Sequence, residues 1–195
     1  AALKSSAKQP LLNPYLAAIG YNETRMGATI WSYLKGYDDT RIAKYFVGVA
    51  KIWLPEYYPI APEYTLPRSD NGGAADASKP NTDEATNIFW FRASETYFLL
   101  SEAALYGLVS TGSAQDYYEQ GVRQSFEEQG AVLGAYLSST SKPRPYNSST
   151  VSPVYPAGYS DDISGGNVSP SWDDTSGTAD EVKEQQLQKI ITQKY

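Results

Sequence analysis

The chain holds no cysteine and no histidine among its 195 residues. Without cysteine there is no disulfide, no thiolate nucleophile and no sulfur-ligated metal. Without histidine the commonest general base, the serine triads of hydrolases and the usual catalytic zinc ligands all drop out. Any hydrolytic chemistry would therefore rest on carboxylates. Basic residues are few and scattered, 16 Lys and Arg against 22 Asp and Glu for a net charge of −6. A nucleic-acid partner needs clustered cations against its phosphates, so none is expected. No run of about 18 apolar residues occurs, and no membrane-spanning helix is expected either.

What the chain does have is 41% hydrophobic content, enough for a core in one domain. Its strongest local pattern starts at Arg92. Tyr97, Leu100, Ala103 and Ala104 return at helical spacing, and after Gly107 and Ser113 so do Tyr117, Tyr118, Val122, Ser125 and Phe126. The spacing predicts a helical hairpin over about 92–129, its first helix stopped by Gly107 and its second N-capped by Ser113. Small residues at Ser101, Ala103, Ala104 and Gly121 allow the close helix approach of tetratricopeptide-like pairs, although the consensus of that repeat is not met.

Elsewhere the pattern predicts a helix over 23–35, N-capped by Asn22, ended by Gly36, with Met26, Ile30, Tyr33 and Leu34 inward. Tyr45 to Ile52 favours a strand. Pro55, Pro59, Pro62 and Pro67 forbid a continuous helix or central strand after it. Residues 68–88 read as polar loop, 130–137 as a short helical stretch and 138–180 as loop. A last helix runs from about 179 to the end, with Leu187, Ile190, Ile191 and Tyr195 on one face. The fold class is thus mainly α, a tetratricopeptide-like hairpin scaffold with long irregular loops and little β, in a single domain over 1–195.

Aromatic residues make up 13% of the chain, with 17 tyrosines and 4 tryptophans. Many fall in loops: Trp53, Tyr57, Tyr58, Tyr64, Tyr146, Tyr155, Tyr159 and Trp172. A pyranose packs its C–H face on such rings while neighbouring polar groups take its hydroxyls. The same rings also serve to pin loops onto a helical body, with the hydroxyl or indole N–H left wet. Trp31 and Trp90 adjoin helices and are expected in the core.

The carboxylates point to structure. Asp38 and Asp39 before Arg41 suggest a turn in which Asp39 pairs with Arg41 or caps backbone groups. Glu95 and Glu102 share a helix face, which suits pairing with Arg92 or a neighbouring helix better than acid and base work across a cleft. Asp161, Asp162, Asp173 and Asp174 offer hard oxygen ligands for calcium, but without the EF-hand spacing. No metal or cofactor is called for.

Three strings occur in a familiar order: Arg92-x-x-Glu95-x-x-x-Leu99-x-x-Glu102-Ala103, a helix opening Tyr117-Tyr118-x-x-Gly121-Val122, and Leu187-Gln-Lys-Ile190-Ile191-Thr-Gln193-Lys194-Tyr195. Together they resemble the SusD/RagB-like proteins. Upstream, Thr24 to Arg41 is similar to a segment that ends in Asp-Pro-Arg in one branch of that family, with Thr40 standing where proline is usual and Tyr45-Phe46 following. The resemblance implies a non-catalytic surface lipoprotein of Bacteroidetes outer membranes that captures an oligosaccharide or polysaccharide and delivers it to a SusC-like TonB-dependent transporter. It also implies that Arg92, Glu95, Glu102, Asp39 and Arg41 are scaffold residues. Trp53, Tyr57 and Tyr58, on a proline-stiffened segment with Glu56, are the expected ligand-binding set. Family members are usually more than twice this long. The chain is therefore expected to be the C-terminal part of a longer protein, held to the membrane only by a lipid on an N-terminal cysteine outside this sequence. Two other classes stay open: a carboxylate-dependent glycoside hydrolase and a helical-repeat adaptor that binds protein.

Overall fold

The computed structural model describes residues 2–3, 26, 28–47, 79–82, 88–144 and 167–194. Its regular structure is mainly helical. The helices are α1 (Ala28–Gly36), α2 (Ile42–Tyr45), α3 (Ala93–Leu105), α4 (Ala114–Gln129) and α5 (Ala179–Lys194). The strands are β1 (Ala2–Leu3), β2 (Phe46–Val47), β3 (Lys79–Pro80) and β4 (Ile88–Phe89), each two residues long. They form two antiparallel ladders, one pairing Ala2 with Phe89 and Leu3 with Ile88, the other Phe46 with Pro80 and Val47 with Lys79.

The chain divides into two compact units, one of Ala1–Lys35, Ile42–Trp90 and Arg144–Gly165, the other of Gly36–Arg41, Phe91–Pro143 and Gly166–Tyr195. In the first, Met26, Ser32 and Leu34 are buried. Ser32 ties Arg144 twice: its carbonyl accepts from the Arg144 N–H at 2.8 Å, and its hydroxyl donates to the Arg144 carbonyl at 2.6 Å. The expected Asn22 cap lies outside the described residues, and helix is observed only from Ala28. Tyr45, expected to open a strand, instead ends the short helix α2, and the strand that follows is Phe46–Val47.

The second unit is built on the hairpin of α3 and α4. Gly107, at φ 70°, turns the chain out of α3, its N–H donating to Ala104 and that of Leu108 to Ala103. Ser113 caps α4, its hydroxyl accepting from the Asp116 N–H at 3.0 Å, and Gly130 in the left-handed region ends it. Thr178 and Glu181 cap α5 reciprocally, the Thr178 N–H donating to Glu181 at 2.7 Å and the Glu181 N–H to the Thr178 hydroxyl at 3.4 Å.

The seam follows a different phase on α3 from the one periodicity suggested. Ser94, Phe98 and Ser101 are buried there, while Tyr97, Leu100, Ala103 and Ala104 are only half-buried. On α4 the buried set is Tyr118, Gly121, Val122, Ser125 and Phe126. Gly121 sits against the Phe98 ring, and a Cβ there would lie 2.6 Å from a ring carbon. Ser101 donates to the Ala114 carbonyl at 2.7 Å and closes the top of the hairpin.

The segment over 130–137 is not the expected helix. Gly130 and Gly134 both hold positive φ, at 58° and 52°, and break any helical run. Only the 3-10 turn Tyr136–Ser138 forms, with Tyr136 buried. Trp172, one of the loop aromatics, takes the pinning role and not the ligand-facing one: it is buried against Tyr118 with ring centres 5.2 Å apart. Trp90, expected in the core, is 67% exposed.

Candidate functional site

Arg41 organises the second unit. It lies in the turn after α1, where its backbone N–H donates to the Asp39 carboxylate at 2.9 Å. Its Nε donates to both Asp39 oxygens, at 3.0 and 3.1 Å, and its Nη2 to Oδ2 at 2.6 Å. The fork then reaches outward: Nη1 donates to Ser125 Oγ on α4 at 2.8 Å, and Nη2 to the Tyr136 hydroxyl at 3.2 Å and Gln193 Oε1 on α5 at 2.9 Å. Gln193 Nε2 donates to the same Tyr136 hydroxyl at 2.8 Å. Asp39 and Arg41 are both buried. Burial pushes the Tyr136 hydroxyl well above the usual tyrosine range despite the opposing pull of Arg41. A guanidinium held by a bidentate carboxylate and by three further side chains is a structural hub, with no vacancy for a reacting group.

The other motif carboxylates are also placed structurally. Glu128 of α4 accepts from the Ser94 N–H at 3.1 Å and from its hydroxyl at 2.8 Å, and lies 3.7 Å from the Arg92 guanidinium. It thereby satisfies the first turn of α3, where N–H groups lack helical partners. Glu102 faces Lys194 of α5 at 3.9 Å. Glu95 is exposed, and no ion pair is seen for it among the described residues. Among those residues, no group of three or more acidic side chains is arranged to hold a metal.

A second polar clasp fixes the run 168–174. Lys189, buried on α5, donates to the backbone carbonyls of Ser169, Ser171 and Asp174. Burial pulls its ammonium down to about 8, with the Asp174 carboxylate opposing. Asp174 is in turn held below the usual carboxylate range by hydrogen bonds from Lys142, at 2.5 Å, and from Ser169, at 2.6 Å. Tyr118 donates to the Pro170 carbonyl and Tyr37 to that of Val168. The Asp39–Arg41 pair of the first clasp was legible in sequence, but the second was not, because a lysine between Leu187 and Ile190 reads as an interruption of an apolar face.

Beside the Arg41 turn lies a cavity of about 270 Å³, lined by residues of 37–40 and 132–139 together with Phe126. Its lining includes Val132, Leu133 and Ala135 and the nearly buried Tyr37, Phe126 and Tyr136. Thr40 Oγ1 donates to the Val132 carbonyl at 2.8 Å and fixes one wall. Asp38, at φ 51°, is the positive-φ residue other than glycine among those described, and it stands exposed at the rim.

Trp53, Tyr57 and Tyr58, the expected ligand-binding set, lie outside the described residues, as do Tyr64, Tyr146, Tyr155 and Tyr159. The described residues with a large exposed ring include Trp90 and Phe91, the latter 78% exposed. None of the described helices is long and apolar enough to cross a membrane.

A helical hairpin with this scaffold is what comparison with known proteins returns. The family model described as SusD-like, Susd and RagB outer membrane lipoprotein, matches residues 2–195, and the chain belongs to that family. Its location is that of the family, the outer membrane at the cell surface. The solved structure of BT1043 superposes with a TM-score of 0.80 at 45% identity, over 100% of this chain and 39% of that one. A SusD homologue from Bacteroides thetaiotaomicron VPI-5482 gives 0.77 at 29% identity, over 100% and 38%. A chitin-binding SusD homologue from Flavobacterium johnsoniae gives 0.66 at 31%, over 92% and 35%. The chain thus spans less than two fifths of the length of these solved relatives. No curated protein matches it.

Proposed function

We propose that the protein captures a glycan at the cell surface without cleaving it, and that the glycan then passes to a SusC-like TonB-dependent transporter. The observation that carries this reading is the family match across residues 2–195, in a family that includes a chitin-binding relative. Residue chemistry supports it. The chain has neither histidine nor cysteine, and Asp39, Glu102 and Glu128 are engaged in ion pairs. A glycosidase needs two carboxyl groups about 5–10 Å apart across a cleft, and the motif residues Glu95 and Glu102 share one helix.

In this reading Trp53, Tyr57 and Tyr58 supply the stacking faces, because proline-stiffened rings hold their orientation at little entropic cost. Gel retardation against a polysaccharide panel, run beside an assay for new reducing ends, tests capture: retention without product is expected. New reducing ends would return the hydrolase, and tight binding of a helical peptide with no glycan retained would return the adaptor. Calorimetry on the variant Trp53→Ala, Tyr57→Ala, Tyr58→Ala is expected to show affinity lost. Unchanged affinity would remove those rings from the site.

A further inference from the structure

We propose that the run 169–174 is a binding loop for a small monovalent cation of the ammonium class, and that its resident ion is the head of Lys189, tethered from α5. Emptied of that head, the loop takes a free primary ammonium. The inference is independent of the glycan reading.

Three carbonyls of the run converge on one nitrogen. Lys189 Nζ donates to the carbonyls of Ser171 at 2.5 Å, Asp174 at 2.9 Å and Ser169 at 3.2 Å, with Ser169 Oγ at 3.5 Å. An ammonium carries three protons, so each carbonyl receives one. The carbonyls of Ser169 and Asp174 show no other donor among the described residues, and that of Ser171 has one more, the Asp174 N–H at 3.3 Å. Lys189 is 1% exposed. Without a cation, these carbonyl dipoles would face one another across a buried site with their hydrogen bonds unmade.

The loop is shaped from outside. The carbonyls of Val168 and Pro170 accept from Tyr37 and Tyr118 at 2.7 and 2.8 Å, the Ser171 N–H donates to the Ser139 carbonyl at 3.1 Å, and Trp172 packs on Tyr118. None of these contacts involves Lys189, so the oxygens stay aimed at one point when the head is removed, and a free ion does not have to order them. Charge and distance set the class of ion. Lys142 lies 2.5 Å from Asp174 Oδ2, so the neighbouring carboxylate already has its counter-ion and the site is left with neutral oxygens, which suit a single charge. Magnesium binds oxygen at about 2.0–2.1 Å and calcium at about 2.3–2.6 Å, and the contacts to Ser169 and Asp174 are longer than either.

The test is chemical rescue of Lys189→Ala, which deletes the ammonium and its three-carbon stem. Urea midpoints, read from tryptophan fluorescence, are compared for this variant and the unaltered chain in n-propylammonium, 1-propanol and tetramethylammonium. Propylammonium restores stem and charge, propanol the stem with a neutral head, and tetramethylammonium the charge with no N–H to donate. The variant's midpoint is expected to rise with the concentration of propylammonium, as for a ligand bound by the folded state alone, and to rise less in the other two, while the unaltered chain shows no preference for propylammonium. An equal rise in propanol would reduce the effect to filling a cavity, an equal rise in tetramethylammonium would reduce it to ionic strength, and either result, or no rise at all, would overturn the proposal. Should Lys189→Ala stay unfolded in every solution, Lys189→Cys decides the matter, because the chain has no other cysteine. Its thiol is alkylated in urea with 2-bromoethylamine or 2-bromoethanol and the product refolded. The aminoethyl form is expected to regain a midpoint near that of the unaltered chain and the hydroxyethyl form to fall short of it; equal midpoints would overturn the proposal.

Discussion

Arg41 holds its guanidinium 4.3 Å from the centre of the Phe126 ring, so the buried cation has an aromatic face on one side and the Asp39 carboxylate at 2.6 Å in its own plane. Its charge is thus compensated by the carboxylate and the ring face together. The arrangement joins the turn after α1 to α4, the 3-10 turn and α5, and the cavity wall is hung on the same turn.

Removing one partner of such a pair strands the other in a low-dielectric site. Asp39→Ala is expected to cost about 3–5 kcal/mol in urea unfolding, whereas Gln193→Ala, which removes a neutral acceptor for Arg41 and a donor to Tyr136, costs about 1–2 kcal/mol. Combining Asp39→Leu with Arg41→Met is expected to recover much of the loss, because no orphan charge remains. A double variant no more stable than Asp39→Ala would show that geometry, and not desolvation, sets the cost.

Gly121 and Gly107 are both glycines of the hairpin, yet they fail for different reasons. At Gly121 an added Cβ meets the buried Phe98 ring at 2.6 Å, and overpacking of this kind costs about 1–3 kcal/mol. At Gly107 the Cβ meets open space, so only the left-handed φ of 70° is strained, for about 1–2 kcal/mol. Thermal unfolding of Gly121→Ala, Gly107→Ala and Gly121→Ala with Phe98→Leu separates the two. Relief by Phe98→Leu is expected for Gly121→Ala, and its absence would place the clash elsewhere.

These cases show what local patterns can and cannot specify. On α4 the apolar residues Tyr118, Val122 and Phe126 stand among charged and amide neighbours, so their phase was legible, as were the Ser113 cap and the Gly107 stop. On α3 apolar residues occupy nearly every face, and periodicity had no phase to report; the buried line runs through Ser94, Phe98 and Ser101. The better signal was Gly121, because a glycine in a helix interior needs a bulky neighbour to explain it. Asp39 and Arg41 lie close enough in sequence to suggest a pair. Their links to Ser125, Tyr136 and Gln193 are tertiary, with sequence separations of 84, 95 and 152. The cavity was illegible for the same reason, since its two walls come from 37–40 and 132–139 and meet only in the fold.

Stability above neutral pH is expected to rise before it falls. Lys189 titrates near 8 when folded and near 10.5 when unfolded, so between those values the unfolded chain binds more protons and stability increases with pH. The gain is about 1–2 kcal/mol up to pH 10. Tyr118 and Tyr136 act the other way. Burial raises both phenols, so above about pH 10 the unfolded forms ionise first and stability drops. Urea midpoints at pH 7, 8, 9 and 10 measure the rise. Lys189→Met is expected to lower the whole curve, by orphaning the carbonyls of Ser169, Ser171 and Asp174, and to remove the rise. A rise that persists in this variant would assign it to another group.

The N-terminus of α3 gives the sharpest contrast between a motif and the contacts it makes. In sequence, Arg92 and Glu95 suggest a pair one turn apart. In the structure the carboxylate serving that end is Glu128, which lies on the other helix of the hairpin, accepts from the Ser94 N–H and hydroxyl, and draws in Arg92. Glu128 is therefore a cap delivered in trans, and it complements the positive end of the helix. Glu128→Ala is expected to cost about 1–2 kcal/mol. Glu128→Gln keeps an acceptor for Ser94 and loses only the charge, for about 0.5 kcal/mol. Glu95→Ala, at an exposed position, is expected to change stability by less than about 0.5 kcal/mol. Chemical denaturation of the three variants orders them; if Glu95→Ala proved the most destabilising, the cap would belong to the motif glutamate and the hairpin would not be locked through its first turn.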